Sequence, residues 1–399
     1  MEYERYTDEK HPEGVYHVEV LEPVPSKPKR PLWRRLVRIL LTVGAVFMVW
    51  STLAPVFSYR CHRNKHDMHA HPQPEFSQPM DMDSSIGFVH EPDSDKPGAP
   101  VEHYTFAADI KSFWLKQENF PNPFPSRTHV IGKVIVHSCP KAENISTHVR
   151  FTLSDPSLRE NIVVEPHNDG ILFKLDPFSA TPARINATIV VVVPKSDKYE
   201  LERVSAKTIQ LPVFLKDTFT TKINTTSIET VSGNVFSFGK SADKTALDIN
   251  NLHIGTVSGG IHGEFPLNHA LDLHSTSGLI TASVVSSNLE EETGYIRTDS
   301  VSGNHDVTFL GKLHPRPLYS KHRSVSGDIA VHYPSDWQGG LELKTTSGHI
   351  SVHGKGTKVV KKEKGIVGRF WEVIKGDGKS KGSLSTVSGR IKVVVGKNE

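Results

Sequence analysis

The chain has 399 residues, of which 37% are hydrophobic and 23% charged, with 29 Gly and 26 Pro; a folded core with many turns fits this balance. Uniform disorder and a multi-span membrane protein are excluded. Forty-seven basic against 44 acidic residues leave a net charge of +3, so no global field points to nucleic acid, and two cysteines exclude a disulfide scaffold or a Cys-based zinc module.

Residues 1–35 hold scattered acids and then a Pro/Lys/Arg stretch, and read as a disordered cytosolic tail without a cleavable signal peptide. Residues 36–58 contain Ile39–Phe57, a run without one charge. As a helix it spans about 28 Å, close to the hydrocarbon thickness of a bilayer, which predicts one transmembrane helix with the lipid bilayer as its partner. Lys27, Lys29, Arg30, Arg34, Arg35 and Arg38 precede it, and Arg60, Arg63 and Lys65 follow. The heavier basic flank stays cytosolic, so the bulk of the chain is expected to be lumenal or extracellular, at the cell surface or in the secretory pathway, as in a type II single-pass protein.

Residues 59–100 read as a Pro-rich, disordered stalk. Its run from Cys61 to His71 is the densest set of metal-ligating residue types, with His62, His66, His69 and His71. The spacing fits no standard site, so a solvated, weakly pH-responsive stalk is the reading and no metal or other cofactor is expected. Whether Cys61 pairs with Cys139 is left open by the stalk between them.

Residues 101–224 form a β-rich lead-in, where Val149, Phe151 and Leu153 alternate, as do Ile171, Phe173 and Leu175, and Ile185, Ala187, Ile189, Val191 and Val193. Over residues 225–399 a tetrapeptide recurs seven times, as Thr230-Val-Ser-Gly233, Thr256-Val-Ser-Gly259, Ser275-Thr-Ser-Gly278, Ser300-Val-Ser-Gly303, Ser324-Val-Ser-Gly327, Thr345-Thr-Ser-Gly348 and Thr386-Val-Ser-Gly389. The glycines are 26, 19, 25, 24, 21 and 41 residues apart. Such a period fits one coil of a β-solenoid, and the last gap, near two periods, predicts a degenerate or replaced coil. An aliphatic lies two residues after Gly in six copies, His305 being the exception. Gly233, Gly259, Gly278, Gly303, Gly327, Gly348 and Gly389 are therefore expected to turn corners through φ > 0 or a bulge, with the serines before them facing inward. The predicted fold is all-β: a parallel β-helix-like repeat after a β-rich region, plus the N-terminal helix. A β-sandwich with a favoured turn is the competing reading.

Repeated Thr-Val-Ser-Gly-x-Ile within alternating strands resembles the putative adhesin domain, a β-solenoid family of unknown function found in bacterial proteins and in fungal single-pass membrane proteins. The resemblance covers about residues 225–399 and implies a non-catalytic surface or secretory-pathway protein. It transfers a fold and no binding site.

No nucleophile elbow, metalloprotease helix, P-loop or dinucleotide turn occurs in the sequence. Asp299, Asp306 and Asp328 lie near the repeats without a matched base, so no catalytic residue is expected. Three sequons, at Asn144, Asn186 and Asn224, are glycosylation candidates; Asn186 has outward parity, whereas Asn224 points inward unless a turn intervenes. Lys355–Lys381 carries nine Lys/Arg against three acids around Phe370, Trp371, Val373 and Ile374, and is read as an insertion docking on the solenoid as a short hairpin, and as the first choice of contact surface. The expected function is a non-enzymatic adhesion or surface-interaction module for a glycan or protein ligand. The alternative is a carbohydrate-active parallel β-helix, which would require ionisable groups gathered on one face.

Overall fold

The computed structural model describes residues 101–119, 128–175, 183–195, 200–216, 221–238, 248–286, 293–313, 316–365 and 368–396. The predicted tail, membrane helix and stalk, with the Cys61–His71 run, lie outside the described residues. Among the described residues no helix is long and apolar enough to cross a membrane.

The period-2 alternation produces strands almost throughout, interrupted by a 3-10 turn at Pro156–Asn161. The strands build a 13-stranded and a 12-stranded sheet, both predominantly parallel. Each turn of the chain lays one strand in the larger sheet and the next in the smaller, pairing in parallel with the coil beside it. Hairpin-linked neighbours, as in an antiparallel sandwich, are confined to the ends.

Ten such coils stack. In spatial order the first five are Gly170–Leu175 with Ala183–Pro194, Ser112–Asn119 with Thr128–Cys139, Glu200–Thr208 with Val213–Lys216, Lys222–Thr230 with Val235–Phe238, and Ile249–Thr256 with Ile261–Leu267. There follow Ala270–Ser275 with Ile280–Ser286, Gly294–Ser300 with His305–Leu310, Leu318–Ser324 with Ile329–Tyr333, Ser380–Thr386 with Ile391–Val395, and Gly339–Thr345 with Ile350–Gly354.

This order departs from the chain order at both ends. At the start, the coil Gly170–Pro194 lies outside the earlier coil Ser112–Cys139, and Glu200–Lys216 pairs on the inner side. At the finish, the C-terminal coil Ser380–Val395 inserts between Leu318–Tyr333 and Gly339–Gly354. The 41-residue gap therefore holds no degenerate coil. It holds the hairpin Lys358–Lys364/Arg369–Lys375, which pairs antiparallel with Gly339–Thr345 and caps the larger sheet. Antiparallel strands close the other end as well: Ile162–His167 on one sheet, Ser146–Leu153 and Val101–Thr105 on the other. Capping matters because an unpaired parallel edge is a template for aggregation, and the outermost strand Lys358–Lys364 is exposed throughout and lysine-rich.

One continuous core runs between the sheets, from Phe113, Ile171 and Ile185 to Leu341, Val373 and Val393, so strands from both sides of residue 224 share it. Each fully buried Leu or Ile in it contributes roughly 1.5–3 kcal/mol.

The corners explain the tetrapeptide. Its first residue points inward: Thr256, Ser275, Ser300, Ser324, Thr345 and Thr386 are buried, and their hydroxyls bond the glycine of the same turn, as in Thr256 Oγ1 to Gly259 O (2.6 Å) and Gly278 N to Ser275 Oγ (2.8 Å). The second residue points out, leaving Val231, Val257, Val301, Val325 and Val387 half-exposed in a column. The serine before glycine is also exposed, contrary to the inward expectation, because the chain bends one residue earlier than parity allows; its hydroxyl donates to the coil beside it, as in Ser258 Oγ to Val231 O (3.2 Å). None of the seven glycines has positive φ, so the expected left-handed corner is corrected too. What they need is room: a Cβ on Gly259, Gly278, Gly303, Gly327, Gly389 or Gly348 would be driven into the carbonyl oxygen of the neighbouring corner glycine. That glycine column runs 233, 259, 278, 303, 327, 389, 348, the same permuted order as the coils.

Candidate ligand-contact face

The outward face of the larger sheet is set by strict register. Ala270, Tyr295, Tyr319, Lys381 and Gly340 form one row across neighbouring coils, and Asp272, Arg297, Lys321, Ser383 and Glu342 the next. Arg323 lies in a third row, beside Asp299. These residues, with Glu372 of the capping hairpin, line a groove of about 810 Å³. Its hollow arises at Gly340, where no heavy atom lies within 4 Å of the position a Cβ would take. The rings of Tyr295 and Tyr319 stack at 5.6 Å with an interplanar angle of 22°, and the residues are 46% and 40% exposed.

Ion pairs cancel part of the charge here. Asp272 receives His253 at 3.2 Å; burial pushes this carboxyl up, but the imidazole bond and neighbouring cations hold it below the usual carboxylate range. The same bond raises His253. Asp299 pairs with Arg297, and Glu342 with Lys344 at 3.6 Å. Lys321, Arg323 and Lys381 have no carboxylate partner among the described residues.

The other sequence candidates do not converge. Asp299 is on the larger sheet, Asp306 on the smaller, and Asp328 beside a corner, where burial raises its carboxyl and hydrogen bonds from Arg390 (2.7 and 2.9 Å) override that and lower it. His274 and His349 are exposed, but His305 is buried and lies in a polar chain inside the core. Its Nδ1 and that of His322 each lie 2.9 Å from Thr298 Oγ1, and its Nε2 lies 2.8 Å from Ser300 Oγ. Ser300 donates to Gly303 O (2.7 Å), so His305 Nε2–H is the donor to Ser300 and His305 Nδ1 accepts from Thr298. His322 Nδ1–H then donates to Thr298, leaving His322 Nε2 a bare acceptor without a partner. Both imidazoles are neutral: burial lowers His305 to about 4 and His322 to about 3.

Among the sequons, Asn186 and Asn224 are exposed and Asn144 is half-buried. Asn224 turns outward because the alternation breaks there: Ile223 and Thr226 are buried, and Asn224 and Thr225 between them both lie on the outer side. In the hairpin, Lys362 lies 4.4 Å from the ring centroid of Trp371 and Lys361 5.5 Å from that of Phe370, with Lys344 of the adjoining strand 5.1 Å from the same ring, so two of its lysines cover its own aromatics. Among the described residues no group of three or more His, Cys, Asp or Glu could hold a metal ion. Sequence reasoning missed Tyr295 and Tyr319. Their signal was a large aromatic at the polar, outward parity of matching strands.

No family model matches the chain, and no curated protein matches it. Among solved structures, a putative cell adhesion protein from Clostridium sporogenes is similar at 9% identity and TM-score 0.22, over 74% of this chain and 99% of that one. A putative adhesin from Parabacteroides merdae has 12% identity and TM-score 0.35 over 76% and 98%. A putative lipid binding protein from Parabacteroides distasonis has 11% identity and TM-score 0.32 over 74% and 97%. Likenesses this low carry no argument about this chain, whose all-β class rests on its own strand pairing.

Proposed function

We propose that this chain is a type II single-pass membrane protein whose lumenal or extracellular β-solenoid is a non-enzymatic adhesion or surface-interaction module. Support for the membrane part is the uncharged run Ile39–Phe57 and its asymmetric basic flanks. Support for the contact function is one observation: a register-aligned sheet face carries two half-exposed stacked tyrosines beside three cations that have no carboxylate partner among the described residues. Side chains fixed on strands make a preorganised surface, which lowers the ordering cost of binding. A carbohydrate-cleaving activity is the second reading, favoured by the carboxylates and cations that share the groove. Asp272, held ionised by its partners, is a poor proton donor near neutrality, and Asp299 and Glu342 are engaged by their own cations.

Glycosidase should increase the mobility of the full-length protein by removing glycans from Asn144, Asn186 or Asn224, and protease added to intact microsomes should remove only the tail. A protected tail would overturn the topology. Beads carrying the purified full-length chain should adhere to cells or matrix above uncoated beads; no adhesion to any surface would overturn the contact function.

A further inference from the structure

We infer that the groove across the larger sheet binds an acidic oligosaccharide, with sugar rings on the Tyr295–Tyr319 platform and the acidic groups of the chain on Lys321, Arg323 and Lys381. The inference rests on the adhesive reading and gives it a ligand and a place. An aromatic face is electron-rich and attracts the polarised C–H groups of a pyranose, while its apolar area is released from water on contact. Two tyrosines at 5.6 Å and nearly parallel, both around two-fifths exposed or more, spend apolar surface on solvent in the free protein. A volume of about 810 Å³ lies within the range of small-ligand sites.

The hollow is built in. Gly340 faces outward in register with Lys381, in a strand that is paired on both sides. A side chain there would have open space and would fill the groove. Lys381 lies beside Tyr319 only because the C-terminal coil is inserted, so the permuted stack assembles the site.

Charge selects the ligand. Along the groove Arg297, Lys321, Arg323 and Lys381 face the carboxylates of Asp272, Glu342 and Glu372, a local excess of one positive charge. The carboxylates interleaved with them accept hydroxyl hydrogen bonds, which suits a polyhydroxylated chain and disfavours the continuous phosphates of a nucleic acid. The face is open, without the enclosed apolar cavity that an acyl chain would fill, and an extended peptide would add at a sheet edge.

The test uses the full-length, detergent-solubilised chain with hexagalacturonate, a sulfated heparin-derived hexasaccharide and maltohexaose, by calorimetry at two salt concentrations. One or both acidic hexasaccharides should bind saturably and at least ~10-fold more tightly than maltohexaose, and the preference should weaken with salt. Tyr295→Ala with Tyr319→Ala should lower affinity at least ~10-fold, and Gly340→Leu, whose Cβ would have no heavy atom within 4 Å, should block the groove without lowering the melting temperature. Equal binding of maltohexaose, undiminished binding by both variants, or no binding of any hexasaccharide would each overturn the proposal. The same variants on beads separate the two claims: adhesion that survives both sinks the groove alone, whereas wild-type beads that never adhere sink the adhesive reading itself.

Discussion

The corner glycines are held by contact, not by conformation. At Gly278 the chain passes so close to Gly259 that a Cβ would meet its carbonyl oxygen and carbon, and neither can move without displacing the next corner in the column. Gly278→Val should therefore cost about 3 kcal/mol or more, at the upper end of overpacking effects. Gly340→Ala, with open space around the new methyl, should stay within about 0.5 kcal/mol of the parent. Urea midpoints with unchanged slopes measure both. A Gly278→Val protein as stable as the Gly340→Ala protein would show that the corners are not packed in this way.

At the scale of elements, the histidine chain links the strands Gly294–Ser300, His305–Leu310 and Leu318–Ser324. Leucines take the position of His322 in nearby coils, as Leu273 and Leu384 do, so two imidazoles replace aliphatic core here. Their folded values, about 4 and about 3, lie below the unfolded value near 6.5. The unfolded chain then binds more protons below that value, so stability is complete above pH ~6.5 and falls as the pH drops toward 4 and 3, by about 1.4 kcal/mol per unit per histidine. His322→Leu should flatten that slope by about half, measured as the difference in urea midpoint between pH 7 and pH 4.5. An unaltered slope would place the acid sensitivity elsewhere. The sequence shows part of this arrangement. Inward parity was readable from Leu271, Leu273 and Ser275, and it failed at Ser277 because the bend begins at the second residue of the motif. A further corner was invisible: Thr208 Oγ1 donates to Leu211 O (2.7 Å), as the other corner hydroxyls do to glycine, in a stretch without Ser-Gly.

For the whole molecule, the order of coils was not legible, and the reason is the repeat itself. Every coil presents the same inward hydroxyl, glycine and aliphatic, so one can stack on almost any other, and local pattern carries no address. The address lies in features beyond the motif: the Asp328–Arg390 pair across the inserted coil, and the hairpin that occupies the edge of Gly339–Thr345. This order puts Lys381 and Ser383 beside Tyr319 and Lys321, and without it the groove does not exist. Cysteine pairing tests it most directly, in a background with Cys61 and Cys139 replaced by serine. Ala330 and Lys392 are register partners on adjacent strands, as are Lys392 and Ser351. Adjacent strands lie about 4.8 Å apart, within disulfide reach, whereas strands two apart lie about 9.6 Å apart and beyond it. Ala330→Cys with Lys392→Cys should oxidise to a disulfide in the folded protein, and Ala330→Cys with Ser351→Cys should stay reduced; the reverse result would mean that the coils stack in chain order.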